Sequence, residues 1–246
     1  MKHRAIFIEG LPGTGKTTIS EKLYELLIKQ GIQAELLQEG DRIPSNLYNI
    51  AGIPKYDFNK NIDFILQTEN YFFVDLGNCT KEETDLLQVY NLGDAFNQNI
   101  SAQEYAACTL EWWQHWVENN IKESILILDS AFLQCPINEM AYRKASDAEI
   151  KEYVQSIAEI IRPFSPFCIY MRRKSAEISM TFAKSVKSEQ WANRVDKFLA
   201  DIDCLDVFER RYELESELVS LISNVVCDID GHDWSDVDKK VQELYG

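Results

Sequence analysis

Gly10-Leu-Pro-Gly13-Thr-Gly15-Lys16-Thr17 sets a glycine, four intervening residues, a second glycine, a lysine and a hydroxyl residue in the spacing that curls a backbone around phosphate. The glycines let successive N–H groups converge on phosphate oxygens, and the helix N-terminus that follows adds partial positive charge. Gly10, Pro12, Gly13, Thr14, Gly15, Lys16, Thr17 and Thr18 are therefore the expected nucleotide-binding residues. Lys16 can reach the β- and γ-phosphates, and the Thr17 hydroxyl is a ligand for Mg²⁺. A glycine turn that merely caps a helix has the same letters. The buried strand before this run and the amphipathic helix after it favour the phosphate reading.

Other chemistry-bearing residues fall at the ends of apolar runs. Asp129 closes Ser124-Ile-Leu-Ile-Leu and is the second expected metal group, with Thr17. Glu39 and Asp41 flank Gly40 after the second apolar run; either carboxylate could orient an acceptor hydroxyl and take its proton, and the residues alone do not choose between them. Arg172 and Arg173 follow Phe167–Met171, and Lys174, Lys184, Lys187 and Arg194 extend a basic cluster suited to neutralising charge on a transferring phosphoryl group. An ordinary solvated helix face would carry the same cations. Trp112 and Trp116 share one helical face and Trp113 turns away, a spacing that core packing explains.

These residues need a scaffold that gathers strand ends. Buried strands are expected at 3–9, 33–38, 124–129, 167–171 and 224–229, with a helix over 16–30 closing at Gly31. Strand, glycine loop, helix, strand opens a parallel α/β sheet. Residues 39–58 read as an irregular connection punctuated by Gly40, Pro44, Gly52 and Pro54. Helices are expected near 60–75, 81–92 and 101–121 with no strand between 60 and 122, two or three more over 174–222, and a terminal one from Ser235. The organisation implied is one domain over 1–246 with a helical insertion at 42–122 and a lid-like segment at about 172–200.

Composition removes whole classes of function. Hydrophobic residues at 46% and charged residues at 26% suit a globular chain of 246 residues. Forty Asp and Glu against 25 Lys and Arg give a formal charge of −15, which repels nucleic acid and anionic lipid. The six cysteines lack zinc-type spacing and read as reduced thiols of a cytoplasmic protein. No apolar run is long enough to span a bilayer, and Ala5-Ile-Phe-Ile8 is too short for a signal peptide.

Phe7-Ile-Glu9-Gly10-Leu-Pro-Gly13-Thr-Gly15-Lys16-Thr17-Thr18 resembles the first strand and P-loop of the P-loop kinase superfamily, in particular the branch of thymidylate kinase and the deoxynucleoside kinases. The order of acids and basic segment along the chain is similar too. The resemblance implies a P-loop NTPase fold of three α/β/α layers, a five-stranded parallel sheet in the order 2-3-1-4-5, ATP as donor, and an adenine pocket around Asp230–Asp233. The chain departs from both families after the third-strand acid: Asp129-Ser130-Ala131 stands where they carry a substrate-binding arginine.

The resulting expectation is an ATP- and Mg²⁺-dependent kinase with Lys16, Arg172 and either Glu39 or Asp41 at the reacting centre. Residues 43–121 hold only Lys55, Lys60 and Lys81 as cations besides His115, so the expected acceptor is neutral or cationic: a nucleoside, a sugar or an aminated natural product. That small molecule is the expected partner, with a homodimer left open. The competing reading is a nucleotide-binding switch whose insertion docks a protein. A guanine-specific Asn-Lys-x-Asp motif is absent.

Overall fold

Strands buried on both faces read as unbroken apolar runs, because helices cover the sheet from each side. The computed structural model describes residues 3–38, 41, 43–58, 62–93, 99–120, 124–202, 207–229 and 233–245, without the side chains of 194, 197–202 and 245. In chain order its elements begin β1 (Ala5–Glu9), α1 (Lys16–Lys29), β2 (Ala34–Leu37), β3 (Ile50–Pro54), β4 (Leu66–Gln67), β5 (Tyr71–Asp75), α2 (Lys81–Leu87) and α3 (Ala102–Asn120). They continue β6 (Ile125–Asp129), α4 (Gln134–Tyr142), α5 (Asp147–Ile161), β7 (Phe167–Arg172), α6 (Ala176–Val186), α7 (Glu189–Ile202), α8 (Val207–Leu218), β8 (Ser223–Asp228) and α9 (Ser235–Tyr245).

The main sheet has five parallel strands ordered β2-β6-β1-β7-β8, which counted among themselves is the expected 2-3-1-4-5. The register pairs Ile8 with Asp129 and Glu9 with Tyr170, so the acid ending β6 and the loop leaving β1 emerge at one edge. Alternation along each strand divides the core. Phe7, Leu126, Leu128, Cys168 and Tyr170 face one cluster with side chains of α3, α4, α5 and α8. Ile6, Ile8, Ile127, Ile169 and Met171 face the other, with Ile19, Leu23 and Leu27 of α1 and Val237 and Val241 of α9.

The insertion corrects two expectations, since 39–58 was also expected to be an irregular connection and contains the strand β3. Residues 60–75 were expected to be helical; instead β3, β5 and β4 form a three-stranded antiparallel sheet in that order. Phe73 on β5 enters the main core while Val74 joins a satellite cluster with Ala51 and Ile53, the two-residue alternation of a strand. The strand that pairs with β5 lies about twenty residues earlier and contains Gly52 and Pro54, which locally look like loop punctuation. Helices α2 and α3 do lie within the other two segments expected to be helical. Trp113, expected to turn away, is the most buried of its group: Trp112 packs on Phe73 of the small sheet (4.9 Å between centroids), and Trp116 lies against Trp113 and Phe164. Helix α3 is thus covered on two sides.

Candidate active site

Between β1 and α1 the loop runs through Gly13 at φ +83° and Gly15 at φ +93°, the left-handed region where a Cβ is strained. Both glycines are also needed for close approach. A Cβ on Gly13 would stand 2.9 Å from Ala183 of α6, and one on Gly15 would stand 2.6 Å from the Trp234 indole nitrogen.

Five consecutive carbonyls of this loop are held by side chains. Gly10 O accepts from Lys16 Nζ at 2.9 Å and from Arg211 Nη2 at 3.2 Å. Leu11 O accepts from Thr14 Oγ1 at 2.9 Å and Lys16 Nζ at 3.3 Å. Pro12 O takes Ser179 Oγ at 2.8 Å, Gly13 O takes Arg173 Nη2 at 3.0 Å, and Thr14 O takes Trp234 Nε1 at 3.0 Å. A peptide's N–H points opposite to its carbonyl. Anchoring the carbonyls to α6, α8 and neighbouring segments therefore leaves the N–H groups for an anion, as in other backbone nests.

The Thr17 hydroxyl donates to Asp129 Oδ2 at 2.8 Å, and Ser130 Oγ donates to Asp129 Oδ1 at 2.7 Å. Asp129 is buried at the end of β6, next to β1. Thr17 and Asp129 are thus paired as the sequence led one to expect, and two hard oxygen donors at a phosphate loop suit Mg²⁺. A cavity of about 310 Å³ opens over the loop. Pro12, Gly13 and Gly15–Thr18 form its floor, with Gln134, Phe182, Val186, Lys187, Trp191 and Trp234 around it.

The remaining sequence candidates separate. Arg172 donates through Nε and Nη2 to Asp228 Oδ1 at 3.0 and 2.9 Å, a pairing that raises its pKa and holds it toward the β8 side. Arg173, not Arg172, lies on the phosphate loop; it is buried and its guanidinium stacks 3.9 Å above the Phe182 ring. Asp41 is exposed and accepts from Gln38 N at 2.7 Å, closing the turn after β2, and it does not line the cavity. Glu39 and residues 230–232 of the expected adenine pocket lie outside the described residues. In the basic segment Lys184 is paired with Asp196, and Lys187 reaches the cavity.

A buried polar network under the loop is illegible in the sequence. Glu9 is fully buried and accepts from Phe132 N at 2.6 Å and Gln134 N at 3.1 Å, pinning the start of α4 to the end of β1. Burial, with the charge of Glu215 adding, pushes its pKa up to about 7. Arg211 of α8 donates to Glu215 Oε1 at 2.5 Å and to Gln134 Oε1 at 2.9 Å, while Tyr170 donates to Glu215 Oε2 at 3.2 Å. Burial works to lower the Arg211 pKa, but its bonded partner Glu215 outweighs it and the net shift is upward. A Glu before the loop and an Arg/Glu pair four apart on a helix were the only signals in the sequence, and many surface helices carry such pairs.

Parallel sheet order, loop and acid together define a P-loop NTPase fold. The family model described as adenylylsulphate kinase matches residues 2–79. The chain is 42% identical over 59 residues to the adenylyl-sulfate kinase of Deinococcus deserti, covering 24% of this chain and 32% of that protein. It is 42% identical over 64 residues to the corresponding kinase of Picosynechococcus sp., covering 25% and 36%, and 41% identical over 64 residues to that of Microcystis aeruginosa, covering 25% and 35%. The chain thus spans about a third of the length of the curated relatives it matches. These similarities support the P-loop kinase superfamily and do not confirm the branch of the thymidylate and deoxynucleoside kinases. Among the described residues no helix is long and apolar enough to cross a membrane.

Proposed function

We propose that this chain is an ATP- and Mg²⁺-dependent small-molecule kinase of the cytoplasm, transferring a phosphoryl group to the hydroxyl of a neutral or cationic acceptor. The observation that carries the reading is the joint placement of Lys16 on the loop and the Thr17–Asp129 pair at its mouth, 2.8 Å apart. In this reading the loop amides and Lys16 bind the donor phosphates and neutralise their charge. Thr17 and Asp129 would hold Mg²⁺, which when bound offsets charge on the phosphate oxygens. Asp41 or Glu39 would take the proton of the acceptor hydroxyl, and the cavity walls Phe182, Trp191 and Trp234 exclude water and orient the donor. Arg172 would have to leave Asp228 to join the lid cations, whereas Arg173 already supports the loop.

Adenylyl sulfate is a second candidate acceptor, favoured by the relatives' names. The similarity ends within the insertion, at residue 79, and gives no account of where the acceptor would bind. An anionic acceptor also calls for cations, and Lys81 in the insertion is already paired with Asp85. Measuring ATP consumption against a panel of adenylyl sulfate, nucleosides, sugars and aminoglycosides tests the proposal. Turnover with a neutral or aminated compound is expected, and turnover with adenylyl sulfate alone would replace the acceptor class. Lys16→Ala is expected to abolish turnover while leaving the thermal midpoint within a few degrees; unchanged turnover would remove the phosphate loop from the reaction.

A further inference from the structure

We infer that Arg211 is a positioning residue for the donor loop, tying its entry peptide to the start of α4 through one buried guanidinium. The inference rests on the reading of Gly10–Thr17 as the nucleotide site. The Arg211 side chain is 3% exposed and Glu215 is fully buried, so the pair sits where an unmatched charge is costly. Its donors reach three elements: Gly10 O at the mouth of the loop, Gln134 Oε1 and Asn138 Oδ1 on α4, and Glu215 within α8.

Each contact fixes a different part of the site. The bond to Gly10 O sets the first peptide of the loop. The bond to Gln134 reaches α4, whose first residue is also held by Glu9 and lies five residues beyond Asp129, the last residue of β6. The Glu215 carboxylate balances the guanidinium, and Tyr170 of β7 buttresses it by hydrogen bonding to the second oxygen. Arg211 therefore fixes the spacing between the loop that holds phosphate and the segment that carries the metal acid. Arg173 and Ser179 fasten the same loop from β7's exit and α6, so the returning helix and the base of the lid brace one five-carbonyl stretch.

Removing Arg211 alone would leave Glu215 buried without its counter-charge and could unfold the protein. The informative variant therefore replaces the whole cluster with apolar residues of similar volume: Arg211→Met, Glu215→Leu and Tyr170→Phe together. Such replacements of buried ion pairs generally leave stability unchanged or raise it. The milder Arg211→Lys keeps the charge facing Glu215, yet a single ammonium cannot span Gly10 O and Gln134 at once.

Two readouts separate positioning from simple packing. In the nucleotide-free proteins, hydrogen exchange of the Phe132, Gln134 and Ile19 amides, which are bonded to Glu9 and to Gly15 O, should accelerate at least tenfold in the triple variant, with amides of β1 and β6 unchanged. Calorimetry with Mg²⁺·ADP should show affinity weakened about tenfold in the triple variant and by less in Arg211→Lys, the scale of one hydrogen bond to a charged donor. Native exchange at Phe132, Gln134 and Ile19 in the folded triple variant would overturn the inference, as would failure of both variants to fold, which would assign Arg211 to stability alone. Absence of Mg²⁺·ADP binding in the wild type would instead reject the nucleotide site, while the exchange comparison still tests the brace.

Discussion

Glu9 makes the stability of this protein fall as the pH rises through the weakly acidic range. Its carboxyl has no exposure to water and titrates near 7 in the folded chain, against 4.5 when solvated. Between those values the folded state keeps a proton that the unfolded chain has lost, so unfolding releases it and is favoured by higher pH. A difference of about two and a half units at 1.36 kcal/mol each corresponds to roughly 3 kcal/mol, of which about 2.5 kcal/mol falls between pH 5 and pH 8. The carboxylates held low by their own hydrogen bonds, such as Glu83, Glu104 and Glu149, act in the opposite sense and below this window. Urea unfolding at half-unit steps from pH 5 to pH 8, on wild type and Glu9→Gln, isolates the effect. The wild type should lose stability relative to the variant by 2–3 kcal/mol across the range, levelling above pH 7. The variant itself should start lower by about 1–3 kcal/mol, because a glutamine amide cannot accept from both Phe132 N and Gln134 N. Parallel profiles for the two proteins would refute the argument from burial.

Gly13→Ala places a Cβ 2.9 Å from Ala183 at φ +83°; a loss of about 1–2 kcal/mol from the left-handed backbone and a weaker grip on Mg²⁺·ATP are expected, read by thermal unfolding and calorimetry. Asp129→Asn retains an acceptor for the Thr17 hydroxyl and removes the charge, so turnover should fall about 10- to 100-fold with a raised Mg²⁺ requirement; an unaltered Mg²⁺ titration would take Asp129 out of the metal site.

The phosphate loop and the parallel sheet were legible in the chain because their causes are local. A glycine pattern serves one backbone path, and residues 5–8 and 125–128 are apolar throughout because both faces of those strands are covered. The Thr17–Asp129 pairing followed from the same logic, since parallel strands deliver their carboxyl ends to one edge. Strand β5 was illegible because its partner lies in a segment with glycine and proline, and strand identity depends on that partner. Between two adjacent arginines, only the tertiary structure assigns Arg172 to Asp228 and Arg173 to Gly13 O, because successive residues at a strand end point to opposite sides. The Glu9–Arg211–Glu215 network was beyond the sequence for the same reason. Glu9 lies some two hundred residues from Arg211 and Glu215, and what makes the three matter, burial, is a property of the packed molecule rather than of any residue in it.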